Sequence, residues 1–176
     1  MTELVLLLIL LSGVVSVVWH SLRTGISPMP SSRKAQEAIL SLIHVQQDDV
    51  IIDAGSGWGG VAINAAKRFP DARVIGYELS PLPWLISRIR QKLFGIENLM
   101  FYRQDYRNED LSCAAFIICY LFPDGMKILR EKLQREKNFS GEIISNTFAL
   151  RGYHPEKVIR LNDLSRTPIY LYHLTD

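Results

Sequence analysis

The chain has 176 residues, of which 22% are charged, and its formal net charge is +2 at pH 7. This length allows one compact domain with a short appendage and excludes separate cofactor and substrate domains. The balanced charge excludes intrinsic disorder, and it gives no indication of a nucleic acid as partner, so we expect none.

An apolar segment stands near the start of the chain. Residues 4–19 read LVLLLILLSGVVSVVW and contain no charged side chain. As a helix they would extend ~24 Å, slightly less than the ~30 Å hydrocarbon core of a bilayer. A cleaved signal peptide is the alternative, but such peptides begin with positive charge, and Glu3 is the only charged side chain before the segment. We expect residues 1–20 to form an uncleaved transmembrane anchor, with residues 4–19 in the lipid bilayer.

Basic residues after the anchor set the expected orientation of a single-pass membrane protein. Arg23, Arg33 and Lys34 follow the apolar segment, and the positive-inside rule then places the rest of the chain on the cytoplasmic side, or in an equivalent compartment. Residues 21–32, SLRTGISPMPSS, contain two prolines and a glycine and are predicted to be a linker. The globular domain is expected over residues 33–176, beginning with a helix capped by Ser31 or Ser32.

Strands and helices alternate beyond Asp49, a pattern typical of an α/β fold in which helices cover both faces of a parallel sheet. Five strands are predicted at residues 50–52, 73–77, 100–103, 114–120 and 141–148. Two further strands, at residues 157–161 and 169–174, are close enough in the chain to pair as an antiparallel hairpin. The sequence therefore predicts seven strands.

The helices between these strands are predicted from apolar residues that recur every three or four positions. One follows the glycine turn at Gly60, one begins at Pro81 and one covers residues 125–137. For the helix that begins at Pro81, the periodicity predicts an inner face with Trp84, Leu85, Ile89 and Leu93 and a solvent face with Arg88, Arg90 and Lys92.

The two cysteines give no indication of a metal site. Cys113 and Cys119 lie in an apolar run, and no histidine or third cysteine stands at metal-ligand spacing from them. We expect both to be buried thiols, and we predict no metal ligand.

The turn after the first strand reads DAGSGWGG at residues 53–60. Gly55, Gly57 and Gly60 match the G-x-G-x-x-G pattern that also occurs in nucleotide-linked dehydrogenases, so the glycines fit NAD as well as S-adenosylmethionine (SAM). Asp53 favours SAM over NAD. Its carboxylate suits the cationic ammonium and sulfonium of SAM, whereas it would repel the pyrophosphate of NAD.

Two further acids follow the next two strands. Glu78 can accept hydrogen bonds from both hydroxyls of a ribose, and Asp105 can accept one from the exocyclic amine of adenine. The carboxyl ends of successive parallel strands are where an open sheet binds its ligand. A dehydrogenase would also need a substrate domain that this chain has no room for. The acids therefore favour SAM.

The runs DAGSGWGG, GYELSP and YRQDY resemble those of class I SAM-dependent methyltransferases, from Val50 to about Phe148. With its apolar segment and proline-containing linker, the chain is most similar to membrane-anchored protein-lysine methyltransferases, whose mitochondrial members modify the ATP synthase c subunit and the adenine nucleotide translocator. The resemblance implies a Rossmann-like methyltransferase sheet of seven strands over residues 33–176. It implies that SAM is bound by Asp53, Gly55, Ser56, Gly57, Trp58, Gly59, Tyr77, Glu78, Asp105 and Tyr106.

The resemblance also places residues 28–32, PMPSS, near the substrate entrance. The fourth strand ends in Tyr120-Leu121-Phe122-Pro123, where many amino-group methyltransferases have Asn or Asp followed by Pro-Pro and an aromatic residue. Tyr120, Phe122 and Pro123 are candidates for the lining of a dry substrate pocket, and the alternative for Tyr120 and Phe122 is packing in the core, where aromatic residues at strand ends often lie. Such a lining lowers the pKa of a lysine amine and contacts a methylated ammonium through cation–π interaction. No single catalytic base is predicted.

The leading hypothesis is N-methylation of lysine in a protein that lies in or next to a membrane. One alternative is a methyltransferase for a membrane-soluble small molecule, such as a quinone precursor or a lipid headgroup, which an anchor would suit equally. The other is a SAM-binding module for assembly or sensing that has lost catalysis, an interpretation that the unusual YLFP segment keeps open.

Overall fold

Alternating strands and helices build one mixed sheet in the computed structural model, which describes residues 30–136 and 138–174. The predicted anchor over residues 1–20 and most of the predicted linker lie outside these residues. Among the helices of the described residues, none is long and apolar enough to cross a bilayer.

Seven strands form the sheet, in the order β3-β2-β1-β4-β5-β7-β6. The first five are parallel, and β7 pairs in antiparallel register with both β5 and β6. The prediction of a seven-stranded sheet with a terminal antiparallel hairpin is confirmed, with strand ends that differ by one or two residues. The strands are β1 Val50–Ala54, β2 Arg73–Tyr77, β3 Leu99–Tyr102, β4 Ala114–Cys119, β5 Glu142–Asn146, β6 Lys157–Arg160 and β7 Pro168–His173.

Helices cover both faces of the sheet, as the sequence predicts. Ser32 caps the first helix, because its side chain accepts a hydrogen bond from the Ala35 amide at 3.2 Å. The first three helices pack on one face and the fourth on the other, where Met126, Leu129 and Leu133 are buried. The helices are α1 Arg33–Ser41, α2 Gly60–Arg68, α3 Pro81–Leu93 and α4 Pro123–Arg135.

The strand β1 is the centre of the fold. All five of its residues are buried, with Ile51 in the apolar cluster that contacts α1 and α2 and Ile52 in the cluster that contacts α4. Its neighbours are β2 on one side and β4 on the other. The turn after β1 therefore lies at the middle of the sheet's carboxyl edge, where an open parallel sheet binds ligands.

The prediction for the inner face of α3 is wrong. Only Trp84 of the four predicted residues packs against the core. Leu85 and Ile89 are each 48% exposed, and Leu93 is 78% exposed. Three apolar side chains of this helix thus face outward in a row, because they stand four residues apart.

The buried face of α3 consists of small side chains. Pro83 and Ser87 are its buried residues, and Ser87 lies so close to Gly59 that a Cβ added there would be 2.8 Å from it. Arg90, predicted to face solvent, is half-buried and donates a hydrogen bond of 2.6 Å to the carbonyl oxygen of Trp58. Apolar periodicity detects neither the close approach nor this hydrogen bond, so it selects the wrong face.

The prediction for the cysteines is right for one residue and wrong for the other. Cys119, at the end of β4, is buried, whereas Cys113 is exposed. Cys113 lies in the turn before β4 begins at Ala114, and its side chain is therefore outside the two-sided burial of that strand.

Candidate active site

A cavity of about 430 Å³ opens at the carboxyl ends of the parallel strands. It lies beside β1, from which the strand order continues through β2 in one direction and β4 in the other. Asp53, Glu78 and Asp105 all line it, as the sequence predicts from their positions at three strand ends. Every residue predicted to bind SAM lines this cavity except Gly59.

The glycine turn forms one wall of the cavity. Gly55 has a φ of 88° and Gly57 a φ of 52°, a region that side chains with a Cβ rarely adopt. The turn is fixed to β2, because the amides of Gly55 and Ser56 donate to the Tyr77 carbonyl oxygen at 3.0 and 2.8 Å. At Gly55 and Gly57, the backbone therefore lines the cavity with no side chain in front of it.

Glu78 is held in place by two backbone amides. Its Oε2 accepts a hydrogen bond of 2.9 Å from Gly57, and its Oε1 accepts one of 2.7 Å from Ser80. An ionised carboxylate has about four acceptor sites, so both oxygens keep a lone pair for a ligand. In this orientation the Glu78 carboxylate can accept hydrogen bonds from the two hydroxyls of a ribose.

Asp53 is buried beside Glu78, at 5% exposure. Burial raises the pKa of Asp53 to about 7, and the nearby charge of Glu78 adds to the increase, while a backbone hydrogen bond from Ala62 opposes it. A bound cation would stabilise the ionised form and lower this pKa. The site therefore fits a ligand that carries positive charge next to Asp53.

Ser56 and Tyr77 complete the pocket around these acids. The Ser56 hydroxyl is buried and has no hydrogen-bond partner among the described residues, so a ligand atom would supply one. Tyr77 stacks on Tyr102 with ring centroids 5.9 Å apart, and burial raises the pKa of Tyr77 to about 12. Its hydroxyl is therefore neutral at physiological pH and available as a hydrogen-bond donor.

Asp105 is paired with a residue that the sequence reasoning missed. The Nε of Arg107 donates to both carboxylate oxygens of Asp105, at 2.8 and 2.7 Å, and the Arg107 amide donates to Oδ1 at 3.0 Å. Burial alone would raise the pKa of Asp105, but the hydrogen bonds and charge of Arg107 lower it. Asp105 is thus an ionised acceptor of fixed orientation, as recognition of an adenine amine would require. The spacing of two residues between Asp105 and Arg107 is the sequence feature from which this ion pair could have been predicted.

Gly59 serves the packing of the turn. It is the N-cap of α2 with a φ of 76°, and a Cβ added there would lie 2.7 Å from the Phe101 ring. Gly59 is buried and does not line the cavity. Contact between Gly59 and the cofactor stays a prediction.

Of the three residues predicted for the substrate pocket, only Tyr120 lines the cavity. Tyr120 lines the cavity and stacks on Phe148 with centroids 6.2 Å apart. Phe122 is 38% exposed and packs on the same ring at 5.4 Å, and Pro123 opens α4. Neither Phe122 nor Pro123 is among the residues that line the cavity. Their contact with substrate stays a prediction.

Polar residues from three distant parts of the chain also line the cavity, and the sequence reasoning did not single them out. Asn146, at the end of β5, donates from Nδ2 to the Ser31 hydroxyl at 3.1 Å. Gln36 donates to the Ser31 carbonyl oxygen at 2.7 Å and accepts from Asn64 at 2.6 Å. Pro30 and Ser31, from the PMPSS segment, therefore lie at the cavity. The position of Asn146 at a strand end was a usable signal, whereas the positions of Gln36 and Asn64 depend on helix packing.

Comparisons with known proteins identify the family of this chain. The family model of the ANTKMT methyltransferase domain matches residues 53–157. A protein-lysine N-methyltransferase from Saccharolobus islandicus (strain REY15A) is 29% identical over 82% of this chain and 91% of its own length. The Homo sapiens lysine N-methyltransferase of the ATP synthase c subunit is 29% identical over 74% of this chain and 55% of its own length. The chain thus spans about half of the human relative.

A solved structure extends the likeness to the cofactor. The RNA methyltransferase from Salinibacter ruber, in complex with S-adenosyl-L-homocysteine, has a TM-score of 0.73 and 26% identity, covering 82% of this chain and 93% of that one. The matched family region begins at Asp53 and includes Glu78 and Asp105. This chain belongs to the ANTKMT methyltransferase domain family, and it is a class I methyltransferase whose cofactor is SAM.

Proposed function

We propose that this enzyme methylates the ε-amino group of lysine in a protein that lies in or next to a membrane. The observation that carries the proposal is the similarity to the archaeal protein-lysine N-methyltransferase, which extends over 91% of that protein's length. An adenine nucleotide translocase lysine N-methyltransferase from Mus musculus, 26% identical over 78% of this chain, supports the same acceptor.

SAM supplies an electrophilic methyl group on a sulfonium, so the protein chiefly has to align the acceptor and hold the cofactor. In the reaction the lysine nitrogen uses its lone pair to form a bond with the methyl carbon, and the carbon–sulfur bond breaks with its electron pair going to sulfur. The amine must be neutral at that moment. Asp53 and Glu78 line the cavity. In this proposal they bind the cofactor's positive charge and its ribose, and the rest of the cavity binds the acceptor.

In this proposal Tyr120 contacts the acceptor. It lines the cavity at the end of β4, its ring is supported by Phe148, and buried Asn146 lies at the end of the neighbouring strand. Partial exclusion of water from this part of the cavity disfavours the charged ammonium, so it favours the uncharged amine that the reaction needs. The aromatic face of Tyr120 accepts the methylated ammonium product through cation–π interaction.

The membrane part of the proposal depends on residues 4–19. Their sixteen uncharged, mostly apolar side chains support a single-pass anchor, with the methyltransferase domain on the cytoplasmic side or in an equivalent compartment. Confinement to the bilayer would raise the effective concentration of membrane-bound acceptors.

Transfer of a tritium-labelled methyl group from SAM to isolated membranes tests the proposal. The full-length enzyme is expected to place label in protein, recovered as methyl-lysine after acid hydrolysis, and Asp53→Asn enzyme is expected to place far less. The matched control is Asp71→Asn, because Asp71 is an exposed carboxylate outside the cavity. Label in the lipid extract alone would identify a small-molecule acceptor and overturn the proposal, as would label in nucleic acid.

A further inference from the structure

The outward face of α3 carries a row of exposed apolar side chains. Leu85, Ile89 and Leu93 stand four residues apart, and Phe94 follows at the C-cap with 52% exposure. We call these four residues the α3 stripe. Scattered single apolar residues are common on protein surfaces, but a contiguous row on one helix indicates a surface that binds something.

Basic residues outnumber acidic ones on the helices of the layer that carries the α3 stripe. The helices α1, α2 and α3 contain seven Lys or Arg residues and one acidic residue, Glu37, so their combined formal charge is +6. The charge of the whole chain is only +2. The Lys67 ammonium lies 3.8 Å from the centroid of the Phe94 ring, so positive charge directly adjoins the apolar row. The other sheet face lacks this excess, since α4 has four basic and two acidic residues.

The stripe and the start of the described chain lie on the same layer of the fold. The helices α1 and α2 contact each other, and α1, α2 and the Trp84 side of α3 pack on one apolar cluster. Pro30, where the described residues begin, leads into α1 and lines the cavity. The apolar residues 4–19 therefore precede, by a short segment, the same layer that carries the stripe.

We propose that the outward surface of α1, α2 and α3 lies on an anionic lipid bilayer, with the α3 stripe inserted among the acyl chains at the interface. Apolar insertion combined with basic flanks is the chemistry by which amphipathic helices bind anionic membranes in the plane of the surface. In this orientation α3 lies parallel to the membrane, and the cavity at its amino-terminal end opens beside the bilayer surface. This surface is separate from the predicted anchor and does not depend on the identity of the methyl acceptor.

A fluorophore on the stripe tests lipid contact directly. The full chain with Cys113→Ala and Ile89→Cys is labelled with NBD and reconstituted into vesicles of phosphatidylcholine with phosphatidylserine, or of phosphatidylcholine alone. The matched probe is Gln134→Cys on α4, exposed on the opposite sheet face. We expect NBD at residue 89, but not at residue 134, to gain at least about twofold in intensity with phosphatidylserine and to be quenched by nitroxide-labelled lipid.

The charge contribution is tested with a second pair of variants. Arg68→Gln with Lys92→Gln is expected to reduce the residue 89 signal several-fold, because each basic residue near an anionic surface contributes about fivefold to partitioning. Lys127→Gln with Lys157→Gln removes the same charge elsewhere and is expected to leave the signal unchanged. Equal responses at residues 89 and 134 would overturn the proposal. So would a residue 89 signal that lipid nitroxide does not quench, since residues 4–19 or a second copy would then cover the stripe.

Discussion

Asp53 is the residue on which we expect cofactor binding to depend most. A carboxylate buried next to Glu78 is unfavourable without a cation, and this is why its pKa is raised to about 7. Poor solvation of the Asp53 carboxylate also favours ligand binding. A cation that binds next to it compensates for the missing water, and this gain in free energy strengthens cation binding.

The first prediction concerns stability and pH. Folding raises the pKa of Asp53 from 3.8 to about 7, so its contribution to stability is greatest below pH 3.8 and is lost as the pH rises through 7. In the absence of SAM, Asp53→Asn is therefore expected to stabilise the fold at pH 8, by an amount on the order of 2 kcal/mol. Thermal unfolding at pH 8 and pH 5 measures it. A variant with the same advantage at both pH values would contradict the assignment.

The second prediction concerns cofactor binding at the same residue. SAM binding is expected to weaken below pH 7, because protonated Asp53 no longer attracts a cation, and to release a proton near pH 7. Calorimetry in buffers of different ionisation enthalpy measures the released proton. Asp53→Asn should abolish the release, and a release that persists in this variant would assign the proton to another group.

The third prediction concerns Glu78. Its orientation by the Gly57 and Ser80 amides prepares it to accept from a ribose. Glu78→Gln is expected to weaken SAM binding about 10–100-fold, because hydrogen bonds to a charged group are lost or inverted. Glu97→Gln, at an exposed acid after α3, is the control and is expected to bind SAM as the wild type does. Unchanged affinity of the Glu78 variant would remove the residue from the cofactor site.

At the scale of elements, the turn between β1 and α2 is determined by close packing as well as by ligand binding. Gly59 allows Phe101 and Ser87 to approach the turn, which fixes α3 against the sheet edge. Gly59→Ala is expected to lower stability by about 2–4 kcal/mol, since it combines an unfavourable φ with overlap. Gly95→Ala is the matched control, because Gly95 also has a positive φ, 60°, but no atom lies within 4 Å of an added Cβ. Similar losses in chemical denaturation would contradict the packing role.

The sequence predicted the strands well and one helix face poorly, for different physical reasons. Strands buried on both faces, such as β1 and β4, are continuous apolar runs between polar turns, and these are visible in one dimension. The face that α3 presents depends on which side chain is small enough to approach Gly59 and on the carbonyl that Arg90 reaches. Both contacts involve residues that are distant in the sequence. The periodicity of α3 alone therefore predicted burial of the α3 stripe, which is exposed in the structure.

The same division holds for the site. Acids and glycines at the ends of β1 and β2 could be placed from the sequence, because the carboxyl ends of adjacent parallel strands meet at one edge. The Ser31–Gln36–Asn64 network could not, because it depends on how α1 and α2 pack, and side-chain hydrogen bonds between separate elements leave no periodic trace. Residue type alone does not predict which aromatic side chains line the cavity. Phe122, two residues after Tyr120, packs on Phe148 and is not part of the cavity lining.

At the scale of the whole molecule, we propose that the cofactor occupies one half of the cavity and the acceptor the other. The strand ends of β1, β2 and β3 present the carboxylates, whereas the ends of β4 and β5 present Tyr120 and Asn146. Pro30 and Ser31 close the space between the acceptor side and the start of α1. The segment that would lead from a membrane anchor thus ends at the acceptor side of the cavity, which supports a membrane-bound acceptor.

The most direct test of the proposed function is mass spectrometry of the membrane proteome from cells with the wild-type protein, with Asp53→Asn protein and with neither. We predict that one or a few lysine residues carry multiples of a methyl group only when the wild-type enzyme is present. An identical set of lysine masses in all three samples, together with active enzyme that methylates a lipid or nucleic-acid fraction, would contradict the assignment of lysine as the acceptor.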